Sequence, residues 1–258
     1  MSSKHFRFPV FGQVDYFGQP QHSAASYTPS EEKQRTTDPI VTGSSVIAIK
    51  YNGGVVMGCD TLCSYGSLAR FNNIQRVKQF GPKTIVGYSG EHSDFQSITQ
   101  LLDDLVIDDQ CIDDKSQLST EEIWNYLARV LYNRRNKVDP LWNNLVVMGF
   151  DKKTDKSFLG KVDLYGTCFK DDYIATGYGQ HIALPLLRKA YSPDMTLEQA
   201  QKLITDCLRV LFYRDARSSK RVQLSYANAN GMEISAPIEL ETYNWDIGEA
   251  AVKSFDQV

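Results

Sequence analysis

The chain has little of what builds a covalent or metal-held framework. Its five cysteines (Cys59, Cys63, Cys111, Cys168, Cys207) are odd in number, scattered and without a C-x-x-C pair, so neither a disulfide scaffold nor a zinc site is expected. Cys59 and Cys63 read as packed thiols, and a reducing compartment is the natural setting. The four histidines (His5, His22, His92, His181) show no H-x-x-x-H spacing, and no metal or cofactor is expected. No apolar run approaches the length of a membrane span, and the opening Met-Ser-Ser-Lys-His-Phe-Arg-Phe lacks a secretory apolar core. Blocks of one charge are missing too. A formal charge of −3 with both signs interspersed leaves no footprint for nucleic acid or an anionic membrane. Gly177-x-Gly179 does not continue into a dinucleotide-binding glycine pattern, and no repeat of solenoid period is visible. These absences lead to the expectation of a soluble, intracellular protein.

What is present is enough apolar residue for a large core. At 258 residues and 42% hydrophobic content, folding would bury roughly 70–75% of the surface of the extended chain. Residues 1–35 stand apart: Phe6, Phe8, Phe11, Tyr16 and Phe17 are scattered among Gly, Pro, Gln and Ser with no strand or helix period. This stretch reads either as a loose tail or as a removable leader whose aromatics dock on a neighbour. Beyond it, Val46 to Lys50 and Val55 to Cys59 form a hairpin across Asn52-Gly53-Gly54, which brings Asp60 beside Ser44. Asn72 to Phe80 and Thr84 to Tyr88 read as two further strands. Ser93-x-x-Gln96 and Ser119-x-x-Glu122 each have the form of a capping box opening a helix, the second ending at Asp139-Pro140.

Strands then return at Leu145 to Phe150, Ser157 to Leu164 and around Ile174. Two helices follow, one from His181 to Lys189 started or kinked near Pro185, the other capped by Thr196-x-x-Gln199. Arg221 to Ala227 and Met232 to Ser235 make a closing hairpin. Strands, helix pair, strands, helix pair, strands is the order of an α+β protein built as a four-layer αββα sandwich of two antiparallel sheets.

The segment Gly43 to Asp60 has the layout of a hydrolase that uses its own first residue as nucleophile. In such a site a freed α-amine, with a pKa of about 8, accepts the proton of the adjacent hydroxyl. Ser44 would be the nucleophile, Asp60 a buried carboxylate, Arg76 the neighbouring cation and Gly90 an oxyanion donor, with Asp215 and Ser218 completing the set. Gly43-Ser44-Ser45, Gly58-Cys59-Asp60, Tyr88-Ser89-Gly90 and Arg214-Asp215-Ala216-Arg217-Ser218 together resemble the β-subunits of the proteasome core particle, over nearly all of residues 36 to 240. Ser64 to Phe71, Asp139 to Asn143, Ala175 to Gly179 and Asn244 to Ile247 resemble a non-catalytic member most.

That resemblance implies the N-terminal-nucleophile hydrolase fold for residues 36–240, a propeptide over residues 1–35 and a C-terminal arm over residues 241–258. It also marks departures. Ser44 stands at the family's threonine, Arg76 at its catalytic lysine, and Tyr178 at a small serine, where a phenol is expected to crowd the site. An arginine cannot shuttle a proton as a lysine can. Asp60, Gly90, Asp215 and Ser218 are kept and read as structural remnants. The resemblance places the leader cut near Arg35 and Thr36, made by an active neighbour, so that Ser44 stays acylated.

The expected function is a non-catalytic structural β-subunit needed for ring assembly and ring pairing in ubiquitin- and ATP-dependent degradation. Its expected partners are the other β-subunits of the same and the opposite ring and the α-ring subunits, in cytoplasm and nucleus. Trp245 is expected to close on its own core and Phe255 to reach outward to the other ring. Two other readings stand beside this one: an active Ser-type peptidase using Ser44, and a stand-alone binding protein on the same sandwich.

Overall fold

In the computed structural model the chain runs through β1 (Val41–Gly43), β2 (Val46–Tyr51), β3 (Gly54–Asp60), β4 (Cys63–Tyr65), β5 (Leu68–Phe71), β6 (Val77–Phe80) and β7 (Thr84–Glu91). The helices α1 (His92–Ile112) and α2 (Thr120–Asn136) follow, then β8 (Asn143–Asp151), β9 (Lys156–Val162), β10 (Cys168–Lys170) and β11 (Tyr173–Ala175). Helices α3 (Gly179–Ala190) and α4 (Leu197–Arg214) precede β12 (Arg221–Asn228), β13 (Gly231–Ile234) and β14 (Ile238–Glu239). The structure describes residues 38–241 except 113, 115 and 153. The expected leader with Arg35 and Thr36, and the arm with Trp245 and Phe255, lie outside the described residues.

The strands form two antiparallel sheets. One has the order β10-β9-β8-β7-β1-β4-β5, with β6 also on β7; the other has β11-β2-β3-β12-β13, with β14 on β12. Alternation along each strand sorts the side chains into layers. In β2, Val46 and Ala48, with Met57 of the neighbouring β3, face the opposite sheet, where they meet Ile85, Val146 and Met148. Ile47 and Ile49 face the other way, onto Ala183, Leu187, Ile204 and Leu208 of α3 and α4. In the same manner Val86, Tyr88, Leu145 and Val147 carry the first helix pair through Phe95, Ile98, Ile123 and Leu127. A strand buried on both faces reads as an unbroken apolar run, which is how Val46 to Ile49 reads. The result is the expected αββα sandwich.

Two of the three expected capping boxes are formed, by Ser119 with Glu122 and by Thr196 with Gln199. The third differs. Helix α1 starts at His92, so Ser93 lies inside its first turn, and the Glu91 carboxylate accepts the Ser93 amide (3.4 Å) and hydroxyl (3.0 Å). A neighbouring acid replaces the expected cap because an ionised carboxylate is the stronger acceptor beside a helix N-terminus. Helix α3 begins at Gly179 and carries Pro185 within it.

Helix α2 closes in a Schellman motif, with Val138 N–H on the Arg135 carbonyl and Asp139 N–H on the Arg134 carbonyl, each at 3.1 Å. The position that favours glycine holds Val138 at φ 54°, a left-handed conformation that costs an L-residue about 1–2 kcal/mol.

The expected strand Asn72 to Phe80 is shorter, beginning at Val77. Its first half is tied to Thr61 instead: Thr61 donates its hydroxyl to Asn72 O at 2.9 Å and accepts the Ile74 N–H on its carbonyl at 2.9 Å. That detour carries Arg76 into the interior. Strands β1, β4, β5, β10 and β14 were not expected from the sequence; the longest of them, β5, has four residues.

Candidate active site

Ser44 sits in the link between β1 and β2, Asp60 ends β3, Arg76 precedes β6, Gly90 lies in β7, and Asp215 caps the C-terminus of α4. Arg76 is the centre of the arrangement. Its side chain is 0% exposed, and its two terminal nitrogens are spent on acceptors that belong to the fold. Nη1 pairs with the Asp60 carboxylate and also reaches the Asp60 carbonyl at 3.4 Å. Nη2 donates to the carbonyls of Ser44 (2.6 Å), Tyr88 (2.9 Å) and Ser45 (3.3 Å). The guanidinium also stands 5.7 Å from the centre of the Tyr88 ring. Opposite charges at Asp60 and Arg76 lead one to expect this pair. A planar fork with five donors serves more acceptors at once than an ammonium with three.

Burial sets the chemistry of the groups around it. The Asp60 carboxyl is pushed up to about 6 by loss of water, against the opposing pull of Arg76 and of the Ser219 and Leu62 amides. The ion pair with Arg76 favours its charged form. Burial raises the Cys59 thiol to about 12 and also raises Cys63, so both thiols stay protonated. Among the described residues no group of three His, Cys, Asp or Glu side chains is placed to hold a metal ion.

The Ser44 hydroxyl does not meet the cation. It donates to Oδ2 of Asp215, whose Oδ1 accepts the Arg217 N–H at 2.9 Å and whose carbonyl accepts the Ser218 N–H at 3.1 Å. Asp60 and Asp215 thus serve different partners: Asp60 balances the guanidinium and holds Ser219 N–H at 3.1 Å, while Asp215 holds the hydroxyl and its own turn. The structure brings Ser44, Asp60, Arg76, Asp215 and Ser218 together.

Upstream of Ser44 the chain is not a loose end. Strand β1 lies between β7 and β4, with Gly43 in register with Gly90 on one side and with Cys63 on the other. The sheet position next to Gly90 is therefore held by the chain's own backbone. Both glycines are sterically required. A side chain at Gly43 would place its Cβ 2.5 Å from Arg76 Nε, and one at Gly90, where φ is +100°, would collide with the Trp142 carbonyl. Glu91, buried at the end of β7, accepts the amides of Ile40 and Val41 on one carboxylate oxygen.

Tyr178 is 61% exposed and makes no side-chain capping bond to α3. The glycines on either side of it do the close packing. Gly179 N–H donates to Ser45 Oγ at 2.8 Å, and a Cβ on Gly179 would stand 3.2 Å from that of Ser45. Sequence reasoning also missed Glu91 and Thr176. Thr176 Oγ accepts the Val46 N–H at 2.9 Å and locks β2 to the turn before α3. An acid directly after the Tyr88-Ser89-Gly90 motif was the one signal for Glu91; Thr176 had none.

Chemically, the arrangement offers a hydroxyl with one carboxylate acceptor. In the uncut chain the nitrogen of Ser44 is a peptide nitrogen without a basic lone pair, and a guanidinium does not take up a proton.

A family model described as proteasome subunit matches residues 40–227. A Dictyostelium discoideum protein named proteasome subunit beta type-4 is 68% identical over 261 residues, covering 100% of both chains. An Arabidopsis thaliana protein of the same name is 48% identical over 84% of this chain and 87% of its own. The similar Saccharomyces cerevisiae protein, named proteasome subunit beta type-7, is 42% identical over 83% and 84%.

Proposed function

Because this chain belongs to the proteasome subunit family, as a β-subunit that assembles with other proteasome subunits, we propose that it fills its place in the ring as a non-catalytic, structural member. The observation that carries this reading is the position of β1. Freeing an amine at Ser44 would require cutting after Gly43 and removing an interior strand paired on both sides. Arg76 supports it, since a cation that could tune a nucleophile is instead fixed to Asp60 and to three backbone carbonyls. On this reading Asp60, Gly90, Asp215 and Ser218 hold loops in place, and the β-type domain spans residues 36–240.

The same reading includes a leader over residues 1–35 that an active neighbour removes near Arg35 and Thr36. It also includes an arm over residues 241–258 through which Trp245 and Phe255 help pair the rings. The neighbours are β-subunits of the same and the opposite ring and α-ring subunits, and the complex degrades ubiquitin-marked proteins in cytoplasm and nucleus.

One observation favours the alternative of an active Ser-type peptidase: the Ser44 hydroxyl is bonded to a carboxylate. Treating the assembled complex with an electrophilic peptide probe, and sequencing the amino end of this chain, separates the two. The structural reading expects no adduct on Ser44 and an amino end upstream of Ile40. An adduct on Ser44 with a new end at that residue would establish the peptidase.

A further inference from the structure

The turn that closes α2 keeps a conformation and an exposure that both work against an isolated fold. Val138 holds φ 54° in the position of the Schellman motif where glycine costs nothing, and its side chain is 87% exposed, the highest of the large hydrophobics among the described residues. A β-branched residue in the left-handed region is an outlier that persists only where surrounding structure enforces it. That enforcement is visible. Arg134 donates from Nε to the Asp139 carbonyl at 2.9 Å and pairs through Nη2 with the Asp139 carboxylate at 3.2 Å, and Pro140 follows.

The flanks of Val138 are as specific. Tyr132 is 49% exposed, lies 5.9 Å below the Arg135 guanidinium and is packed against Gly166, where a Cβ would stand 2.6 Å from that of Tyr132. Arg135 and Lys137 are exposed, and among the described residues neither has a carboxylate partner. A rigid apolar knob beside a Tyr–Arg pair is the composition of an interface hot spot rather than of a solvated loop. The two cations state what must face it.

We propose that the α2 closing turn, Tyr132 with Arg135, Lys137 and Val138, is a docking knob for a neighbouring proteasome subunit that offers an apolar recess rimmed by carboxylates. Val138 enters the recess, Arg135 and Lys137 meet the rim, and the Arg134–Asp139 pair keeps the knob in shape before contact. This rests on the assembly role proposed above.

Glycine at position 138 separates contact from fold, because it relieves the backbone while deleting the side chain. Tagged V138G and wild-type full-length chains are expressed together, and assembled complex is resolved from free chain on a native gel. The share of V138G in the complex, relative to its share of the free pool, is expected to fall about fivefold. The melting temperature of the free V138G chain in the same lysate is expected to hold or rise by about 2 °C. R135E combined with K137E is expected to be depleted similarly, and V138L, which keeps an apolar knob, to be retained. Equal incorporation of V138G and wild type would overturn the docking knob while leaving the assembly role intact. A wild-type chain found in no complex at all would overturn both.

Discussion

Each end of strand β2 has a cation beside a carboxylate, and the two pairs do different things. At its start Arg76 meets Asp60 with side chains 0% and 2% exposed; at its far end Lys50 meets Asp172 at 2.9 Å with side chains 24% and 55% exposed. The exposed pair trades one hydrated arrangement for another and gains little. The buried pair has no water to fall back on, so each partner exists only because the other does. Around the buried pair the carbonyls of Ser44, Ser45, Asp60 and Tyr88 are drawn in as well, which makes it a junction joining the β1–β2 link, β3 and β7.

The largest effect should come from breaking that junction. Arg76→Met leaves Asp60 buried without a counter-charge and is expected to cost about 3–5 kcal/mol, read by urea unfolding of the full-length chain. Adding Asp60→Leu should restore part of the loss, since an apolar pair has no stranded charge. A loss within error of zero for Arg76→Met would erase the contrast between the two ends. Next, Gly43→Ala forces a methyl group against the Arg76 guanidinium. A cost of about 1–3 kcal/mol is expected, with the chain still folded.

Ser44→Ala removes one hydrogen bond to Asp215 and should cost about 0.5–1.5 kcal/mol. Peptide hydrolysis by the assembled complex is expected to continue at an unchanged rate; a selective loss of one cleavage specificity would show that Ser44 reacts. Smallest is Lys50→Ala at the exposed end. A change of about 0.2–1 kcal/mol is expected, shrinking further as salt is raised. A cost matching that of Arg76→Met would show that exposure is not what separates the pairs.

Local signals in the sequence carried the layers. Asn52-Gly53 fixed the first hairpin, and the boxes at Ser119 and Thr196 marked helix starts, because turn and cap chemistry acts within a few neighbours. Strands β1 and β4 gave no such signal. Each has three residues and exists only through partners far along the chain, as with Thr42 against Glu91.

The site divides in the same way. Its members could be named from motif order, whereas opposite charges at Asp60 and Arg76 made their pairing a fair expectation without deciding it. That the Ser44 hydroxyl would choose Asp215, 171 residues away, could not be read from spacing. Nor could the close packing of Gly177 and Gly179 on Ser45 on either side of Tyr178.

Glu91 gives the amino-terminal side of the domain a measuring stop. Its carboxylate holds the Ile40 and Val41 amides, and Gly66 N–H holds the Ile40 carbonyl at 3.1 Å. An exopeptidase nibbling inward from a ragged end needs extended backbone free to enter its cleft. Such an enzyme would be slowed at Ile40, where these bonds begin, because the backbone there must first be freed from Glu91 and Gly66.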